Sequence, residues 1–524
     1  MVKNKLFLFF VCCIFYSFSE NANLILIEFK DKGNYSRDID VPVNLSYIDS
    51  IRQFNINFVN ASKWMNTAIF KYYDVAVIDS IKKFPFVQNI TFGCVMETDN
   101  MRIRQSTDKF SLEKESETFS VTTINDNNSF YLPQLTQIKG DFIQNKDYKG
   151  RGIKIAVIDN GFPKADEIEG LQHIFSENRI KGTYDYYNNT TNVYFNSSSN
   201  HGTNCFSIIG GKLSNYTGSA PDADFYLYRT EVDALEGQTE EILMSKALED
   251  AVDAGINIVN ISLGYNNGFN DGTENHTYND LDGKSTIAAK AVNIAASKGI
   301  LVCVSAGNEG NSDWKYISTP ADADSAFTVG SVDANGIITG FSSTNLPDNT
   351  SIKPNVMALG SNIAYLNSNN TISVGNGTSY SAPIIAGLSA CLWQAFPDKN
   401  NWEIKTAIEQ SSNKYENPDK QYGYGIPDFE IAYKKLFQTI YQVKNQIDIF
   451  PNPTSNQINI YLKDAYLKKI ILTDNFGKRI LEKEFDTNNQ LQHTTFDIAN
   501  LPNAVYYLHI ITDTFTQTKK ILKQ

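Results

Sequence analysis

Beyond its first twenty residues, the chain of 524 residues lacks any apolar run that approaches the ~18 residues a membrane-spanning helix needs. The exception, "MVKNKLFLFFVCCIFYSFSE", is itself too short: Lys3 and Lys5 precede an apolar stretch from Leu6 to Phe15, followed by Tyr16-Ser17-Phe18-Ser19. That layout is a secretory signal peptide, residues 1–19, with cleavage after Ser19. The mature chain is therefore expected without a transmembrane span, secreted or at the cell surface. Cysteine is scarce, with six in all. Cys12 and Cys13 leave with the signal and Cys94 lies in a segment read below as removable. Cys205, Cys303 and Cys391 remain, an odd and widely spaced set that excludes a disulfide framework and a CxxC metal site. Basic charge is also short: 46 Lys and Arg against 58 Asp and Glu give a net charge of −12, which argues against nucleic acid as a partner.

Hydrophobic residues make up 42% of the chain and charged residues 20%, the balance of a globular protein, and the length suggests two to four domains. Between about 150 and 435 strand and helix patterns alternate. "IKIAVI" (153–158) and "FYLY" (225–228) read as strands, then "TEEILMSKALEDAVDAG" carries apolar residues at helical spacing and stops at Gly255. "INIVNISLG" (256–264) resumes as a strand; a helix over roughly 283–298 ends at Gly299 before "ILVCVS" (300–305). This alternation predicts an α/β fold, a parallel sheet flanked by helices on both faces. Residues 20–125 look separate and α+β, with strands at "LILIEF" and "FVQNITF" and a helix near Asp74–Phe84. After about 440 short strands follow one another with no helix between them, from "QIDIF" to "AVYYLHIIT", which predicts an all-β sandwich over 445–524.

Within the α/β region four residues stand at positions where chemistry collects, the carboxyl ends of strands and the starts of helices. Asp159 follows "IKIAVI"; as a lone signal it is a turn aspartate or the acid of a nucleotide-binding strand, but no GxGxxG accompanies it. His201, one of only five histidines, precedes Gly-Thr and a helix-like stretch in "NHGTNCFSIIGG". A lone histidine is more often structural. Asn308 sits in "SAGNEG", where asparagine usually forms a turn. Ser379 stands in "NGTSYSAPIIAGLSA" at the mouth of a helix apolar on every side, with Pro383 suited to that helix's first turn. The bland reading of Ser379 is an N-cap.

Taken in the order Asp, His, Asn, Ser, these signals cease to be independent. Through "AVIDNGF", "HGTNC", "NISLG", "SAGNEG" and "GTSYSAP" the chain resembles the subtilisin-like serine peptidases over about residues 130–435. The resemblance implies a catalytic domain over 126–438, with Asp159, His201 and Ser379 as catalytic triad and Asn308 as oxyanion donor beside the Ser379 N–H. It implies that Ser262, Leu263 and Gly264, with Ser305, Ala306 and Gly307, flank the side chain before the scissile bond (P1) of a protein or peptide substrate. "YISTPADAD" would close that pocket, with a cis peptide before Pro320, and the absence of charge in the flanking segments implies neutral P1 residues. Cys205, four residues after His201, is expected unpaired beneath the imidazole. Asn160 and Asn355 depart from the family's usual residues, and neither is expected to touch the chemistry. No metal ligand set is evident; calcium is compatible with the family, and the Asp/Asn-rich stretch 266–282 is the one segment offered for it.

The flanking regions resemble known modules as well. "DIDVPVNLSYI" and "SKWMNTAIF" are similar to the propeptides of secreted bacterial subtilases, which implies that 20–125 inhibits its own enzyme until cleaved. "IFPNPTSNQINI", "LTDNFGK" and the terminal "TKKILKQ" resemble the sorting domains of the type IX secretion machinery, with Ala504 where glycine is usual. The expectation is a secreted serine endopeptidase made as a zymogen. The alternatives are a catalytically silent peptide-binding relative or an adhesin whose β-sandwich carries the function.

Overall fold

The apolar strand "LILIEF" has no polar face, and the structure shows why. A computed structural model of the chain describes residues 23–33, 38–93, 133–195, 199–232, 235–445, 447–462, 465–486 and 491–524; the expected signal peptide and Cys94 lie outside them. Strand β1 (Asn23–Phe29) is central in a four-stranded antiparallel sheet with β2 (Asn57–Ser62), β3 (Thr67–Tyr72) and β4 (Val87–Gly93), in the order β2-β3-β1-β4. Alternate side chains point to opposite faces. Ile25, Ile27 and Phe29 pack with Ile48 and Ile51 of helix α1 (Leu45–Arg52), while Leu24 and Leu26 join the core of the α/β region. Burial on both faces explains the unbroken apolar run.

The N-terminal segment docks on the α/β region within one compact unit, and a second unit begins at Ile431. The helix expected near Asp74–Phe84 is only a 3-10 turn, Val75–Val77, and one α-turn, Ile78–Ile81. Pro85 disfavours a helical Phe84 and ends it.

The α/β region is built on seven strands, all parallel, in the order β11-β10-β9-β8-β5-β7-β6. They are β5 (Lys154–Asp159), β6 (Ile180–Asp185), β7 (Asp224–Arg229), β8 (Ile258–Ile261), β9 (Leu301–Ser305), β10 (Phe327–Val332) and β11 (Val356–Leu359). Helices α2 (His201–Gly210) and α5 (Thr378–Ala395) touch each other and pack on one face of the sheet. The other face meets α3 (Gln238–Asp253) and α4 (Ile287–Ser297), whose Leu243, Ala247, Val292 and Ala295 share a core with Ala156, Ile158, Val259 and Val302. The strand order reverses at β5, with β7 on one side and β8 on the other, so the carboxyl end of β5 opens onto a switch-point crevice.

Among its described residues the second unit carries seven strands, all antiparallel to their neighbours. Ile447–Phe450, Gln457–Leu462 and His493–Asp497 form one sheet, and Leu467–Thr473, Arg479–Glu484, Val505–Thr512 and Thr516–Leu522 the other. Ile458, Ile460, Ile470, Leu472, Leu508 and Ile521 fill the core between them. The last strand, Thr516–Leu522, is the segment read from sequence only as a terminal motif.

The N-terminal sheet is fastened to α3 by one buried carboxylate. Glu249 Oε1 accepts from the Ser62 hydroxyl at 2.6 Å and from the Trp64 backbone N–H at 2.9 Å. Glu249→Ala leaves the buried Trp64 N–H without its acceptor and the Ser62 hydroxyl with only Ser245 at 3.0 Å, and it should lower stability of the full chain by about 1–3 kcal/mol in urea unfolding. An unchanged urea midpoint would show that this contact contributes nothing.

Candidate active site

The switch-point crevice gathers the acid, the imidazole and the hydroxyl singled out in the sequence. Asp159 ends β5 and is fully buried; its Oδ1 lies 2.7 Å from His201 Nδ1 and accepts the Asn160 backbone N–H at 2.8 Å. An ionised carboxylate only accepts, so the proton sits on Nδ1 and the neutral ring turns a lone pair outward at Nε2. His201 begins α2, and the approach of that helix to β5 needs Gly202. A Cβ there would fall 2.2 Å from the Gly161 carbonyl and 2.9 Å from Asp159 Cβ.

Ser379 is the second residue of α5, so it is not the N-cap; that position is Gly377. Pro383 is likewise not in the first turn but inside the helix. This difference has a consequence at the site. A helical residue 383 would donate its N–H to the carbonyl of residue 379, and proline has none. The freed Ser379 carbonyl accepts instead from the Ser262 hydroxyl at 2.8 Å and from the Cys205 thiol at 3.4 Å. The same Cys205 sulfur lies 3.7 Å from His201 Nε2, so the histidine helix and the serine helix meet over one thiol. Cys205, Cys303 and Cys391 are all buried thiols, and none of them forms a disulfide among the described residues.

Asn308 is oriented by the residue before the serine. Its Oδ1 accepts both the Thr378 N–H at 2.9 Å and the Thr378 hydroxyl at 3.0 Å. A backbone N–H can only donate, which fixes the oxygen on that side and turns the amide NH₂ away from Thr378. Two segments border the crevice. Ser262, Leu263 and Gly264 continue β8, and Ser305, Ala306 and Gly307 continue β9; neither carries a charge. Gly264 approaches Ser318 so closely that a Cβ would sit 3.1 Å from Ser318 Cβ. The neighbouring Thr319–Pro320 bond is cis.

Several residues here escaped the reading of the sequence. Asn160, set aside as irrelevant, accepts the Gly202 N–H at 3.2 Å through its side chain, and its carbonyl accepts from Arg229 Nε at 3.0 Å. It ties β5 to the start of the histidine helix. Thr378 and Tyr380 flank Ser379; Tyr380 lies nearly parallel to the His201 ring and its hydroxyl accepts from Asn204 at 3.2 Å. Their signal was the motif itself, in which only the serine had been given work. Within the stretch 266–282, Asp271 receives the Thr239 N–H of α3, and Asp280 closes a capping box with Thr277. Among the described residues, the one group of three side chains with metal-ligand proximity is Asp159, His201 and Cys205, the site itself.

A doubly covered parallel sheet with an acid at a strand end and a histidine and a serine at helix starts defines an α/β protein with the residues for nucleophilic chemistry. Residues 150–425 match the subtilase family, peptidase S8, and the chain belongs to that family. Residues 26–109 match the S8 propeptide domain of Bacteroidota, and 448–524 the secretion system C-terminal sorting domain, which makes this a secreted or cell-surface serine peptidase. Serine protease AprX of Bacillus subtilis is 30% identical over 316 residues, 54% of this chain and 66% of that protein. Subtilisin E of the same species is 28% identical over 302 residues, 57% of this chain and 70% of its own. The structure of the epidermin leader peptide processing serine protease of Staphylococcus aureus shares the fold, with a TM-score of 0.56 and 19% identity over 79% of this chain and 99% of that one. Among the described residues no helix is long and apolar enough to cross a membrane.

Cys205 makes the site vulnerable. A mercurial bound to its sulfur would push His201 aside, and a displacement of about 1 Å can cost on the order of 10²-fold in rate. Mercurials should therefore inhibit slowly, because the thiol is buried. Cys205→Val, which keeps the Ser262 hydroxyl on the Ser379 carbonyl, should stay within about tenfold of the parent rate and resist the reagent. Equal inhibition of parent and variant would place the target elsewhere.

Proposed function

We propose that the protein is a secreted serine endopeptidase that cleaves peptide bonds through an acyl-enzyme on Ser379. The observation that carries this reading is the 2.7 Å contact between Asp159 and His201 Nδ1, which readies Nε2 as a base on the side where Ser379 lies. Ser379 Oγ attacks the substrate carbonyl carbon while His201 Nε2 takes its proton. The oxyanion that forms is held by the Asn308 amide, already turned by Thr378, and by the Ser379 backbone N–H at the positive end of α5. Collapse breaks the C–N bond, and the proton passes from His201 to the leaving amine. Water then repeats the sequence on the ester and frees the acid. Asp159 holds the ring in one tautomer and stabilises its charged form throughout.

The domain assignments follow the same reading: a signal over 1–19, an inhibitory propeptide over 20–125, a catalytic domain over 126–438 and a sorting domain over 445–524. The six uncharged residues beside the crevice favour neutral, apolar or aromatic P1 side chains. The docking of Ser62 and Trp64 on α3 supports a module that restrains the enzyme until it is cut away.

Ser379→Ala should reduce kcat about 10⁶-fold, the loss known for the serine of subtilisin itself, a member of this family. Asn308→Ala should reduce it roughly 10²–10³-fold, again by the subtilisin figure. Substantial peptide hydrolysis by Ser379→Ala would refute the assignment. Removing residues 519–524 should leave folded peptidase inside the cell envelope, measured by fractionation; normal release of that truncation would refute a role for the terminal strand in export.

A further inference from the structure

A lysine is the unexpected member of the largest fully buried side chains. Lys353 is 1% exposed, and among the described residues no carboxylate oxygen lies within ion-pair distance of it. Its Nζ donates to the carbonyls of Ala323 at 2.7 Å and Ala326 at 2.9 Å, to Thr328 Oγ1 at 3.0 Å and to Asn355 Oδ1 at 3.3 Å. Every partner is fixed as an acceptor. Thr328 gives its own hydroxyl proton to the Ala321 carbonyl at 2.6 Å, and Asn355 Oδ1 already receives the Thr328 N–H at 2.9 Å. A neutral amine has two protons for four lone-pair oxygens; an ammonium has three. The four acceptors favour the ammonium, whereas burial and the neighbouring Lys405 push the group well below its ordinary value; in either form Nζ is tethered to the turn. Lys405 adds a second ammonium to the same turn, reaching the Ala326 carbonyl at 3.1 Å.

The clamped turn leads directly to the crevice. The Ala323 N–H bonds to the Pro320 carbonyl at 3.0 Å, and the Ala321 N–H to the Ser318 carbonyl at 2.8 Å. Thr319 then pairs with Tyr265 in both directions, at 2.8 and 3.1 Å, immediately after Gly264. Ser318 lies against Gly264 and takes a hydrogen bond from Asn266 at 2.9 Å. The turn held by Lys353 thus carries the residue that meets the wall of the crevice.

We propose that Lys353 is a positioning residue for the P1 pocket, its buried Nζ holding the turn 320–326 so that Ser318 and Thr319 keep their place against Gly264. This rests on the peptidase reading above. Asn355, which departs from the family's usual residue at its position, belongs to this cluster rather than standing apart from function. Its side-chain oxygen completes the acceptor set, while its amide donates to Glu409 at 3.0 Å.

The test uses the full chain, matured by its own processing, with Lys353→Met removing the amine at similar length. Two readouts separate pocket from machinery: the rate of phosphonylation by a small fluorophosphonate, and kcat/KM on a peptide series varied only at P1. Phosphonylation should stay within about threefold, while kcat/KM for large P1 residues falls roughly tenfold or more relative to alanine, chiefly through KM. A purely structural role would lower the melting temperature and leave the P1 profile unchanged, and that result overturns the proposal. If Lys353→Met yields no folded protein, Thr328→Val decides by the same readouts. A smaller, P1-selective loss supports the clamp, and an unchanged profile overturns it. Failure of the parent to react with the fluorophosphonate would overturn the peptidase reading itself, and this proposal with it.

Discussion

One carbonyl oxygen organises the site. Because Pro383 offers no N–H, the carbonyl of Ser379 leaves the helical ladder and is claimed by Ser262 at the end of β8 and Cys205 on the histidine helix. A buried carbonyl without a donor costs about as much as a lost hydrogen bond, so at least one of these two donors is required, and the Ser262 hydroxyl at 2.8 Å is the stronger. Through them the start of α5 is registered against both a strand of the sheet and the helix that bears His201. The helix start is fixed from its other side by Asn308, which takes the first N–H of α5 with the same side chain proposed to face the oxyanion. Position of the hydroxyl, orientation of the amide and direction of the helix dipole all descend from one helix terminus.

The second constraint is the close approach of the histidine helix to β5. Gly202 permits it and Asn160 ties it down, while Arg229 joins Asn160 to a buried pair with Asp185 at 2.9 Å. The aspartate–histidine contact is thus backed by a chain of side-chain and backbone groups that runs from Asn160 after β5 through Arg229 of β7 to Asp185 of β6. On the opposite face of the sheet the N-terminal module covers α3 and shares its core, which explains why its central strand is apolar throughout.

The architecture was legible because its signals are repetitive. Helical spacing in 239–255, glycine stops at Gly255 and Gly299, and apolar strands between them are each sufficient for the α/β alternation. The candidate site was legible through order: Asp159, His201, Asn308 and Ser379 are weak one by one and specific together. What stayed hidden depends on partners distant in sequence. The two-faced burial of β1 needs α3, more than two hundred residues away. Pro383 suited a first turn by its own geometry, and only the donors on Ser262 and Cys205 make its place inside the helix tolerable. Asn160 and Asn355 differ from the family's usual residues and were set aside because neither was expected to touch the chemistry, yet both hold backbone groups near the crevice. Lys353 gave no signal at all, since a lysine in a loop ordinarily reaches solvent.

The claim on which the account rests is that the hydroxyl at this helix start is the nucleophile. The most direct measurement is to treat the matured protein with a fluorophosphonate and locate the adduct by peptide mass spectrometry. The account predicts a single stoichiometric adduct on Ser379, lost when His201 is replaced by alanine. An adduct on another serine, or no adduct on folded protein, would contradict it.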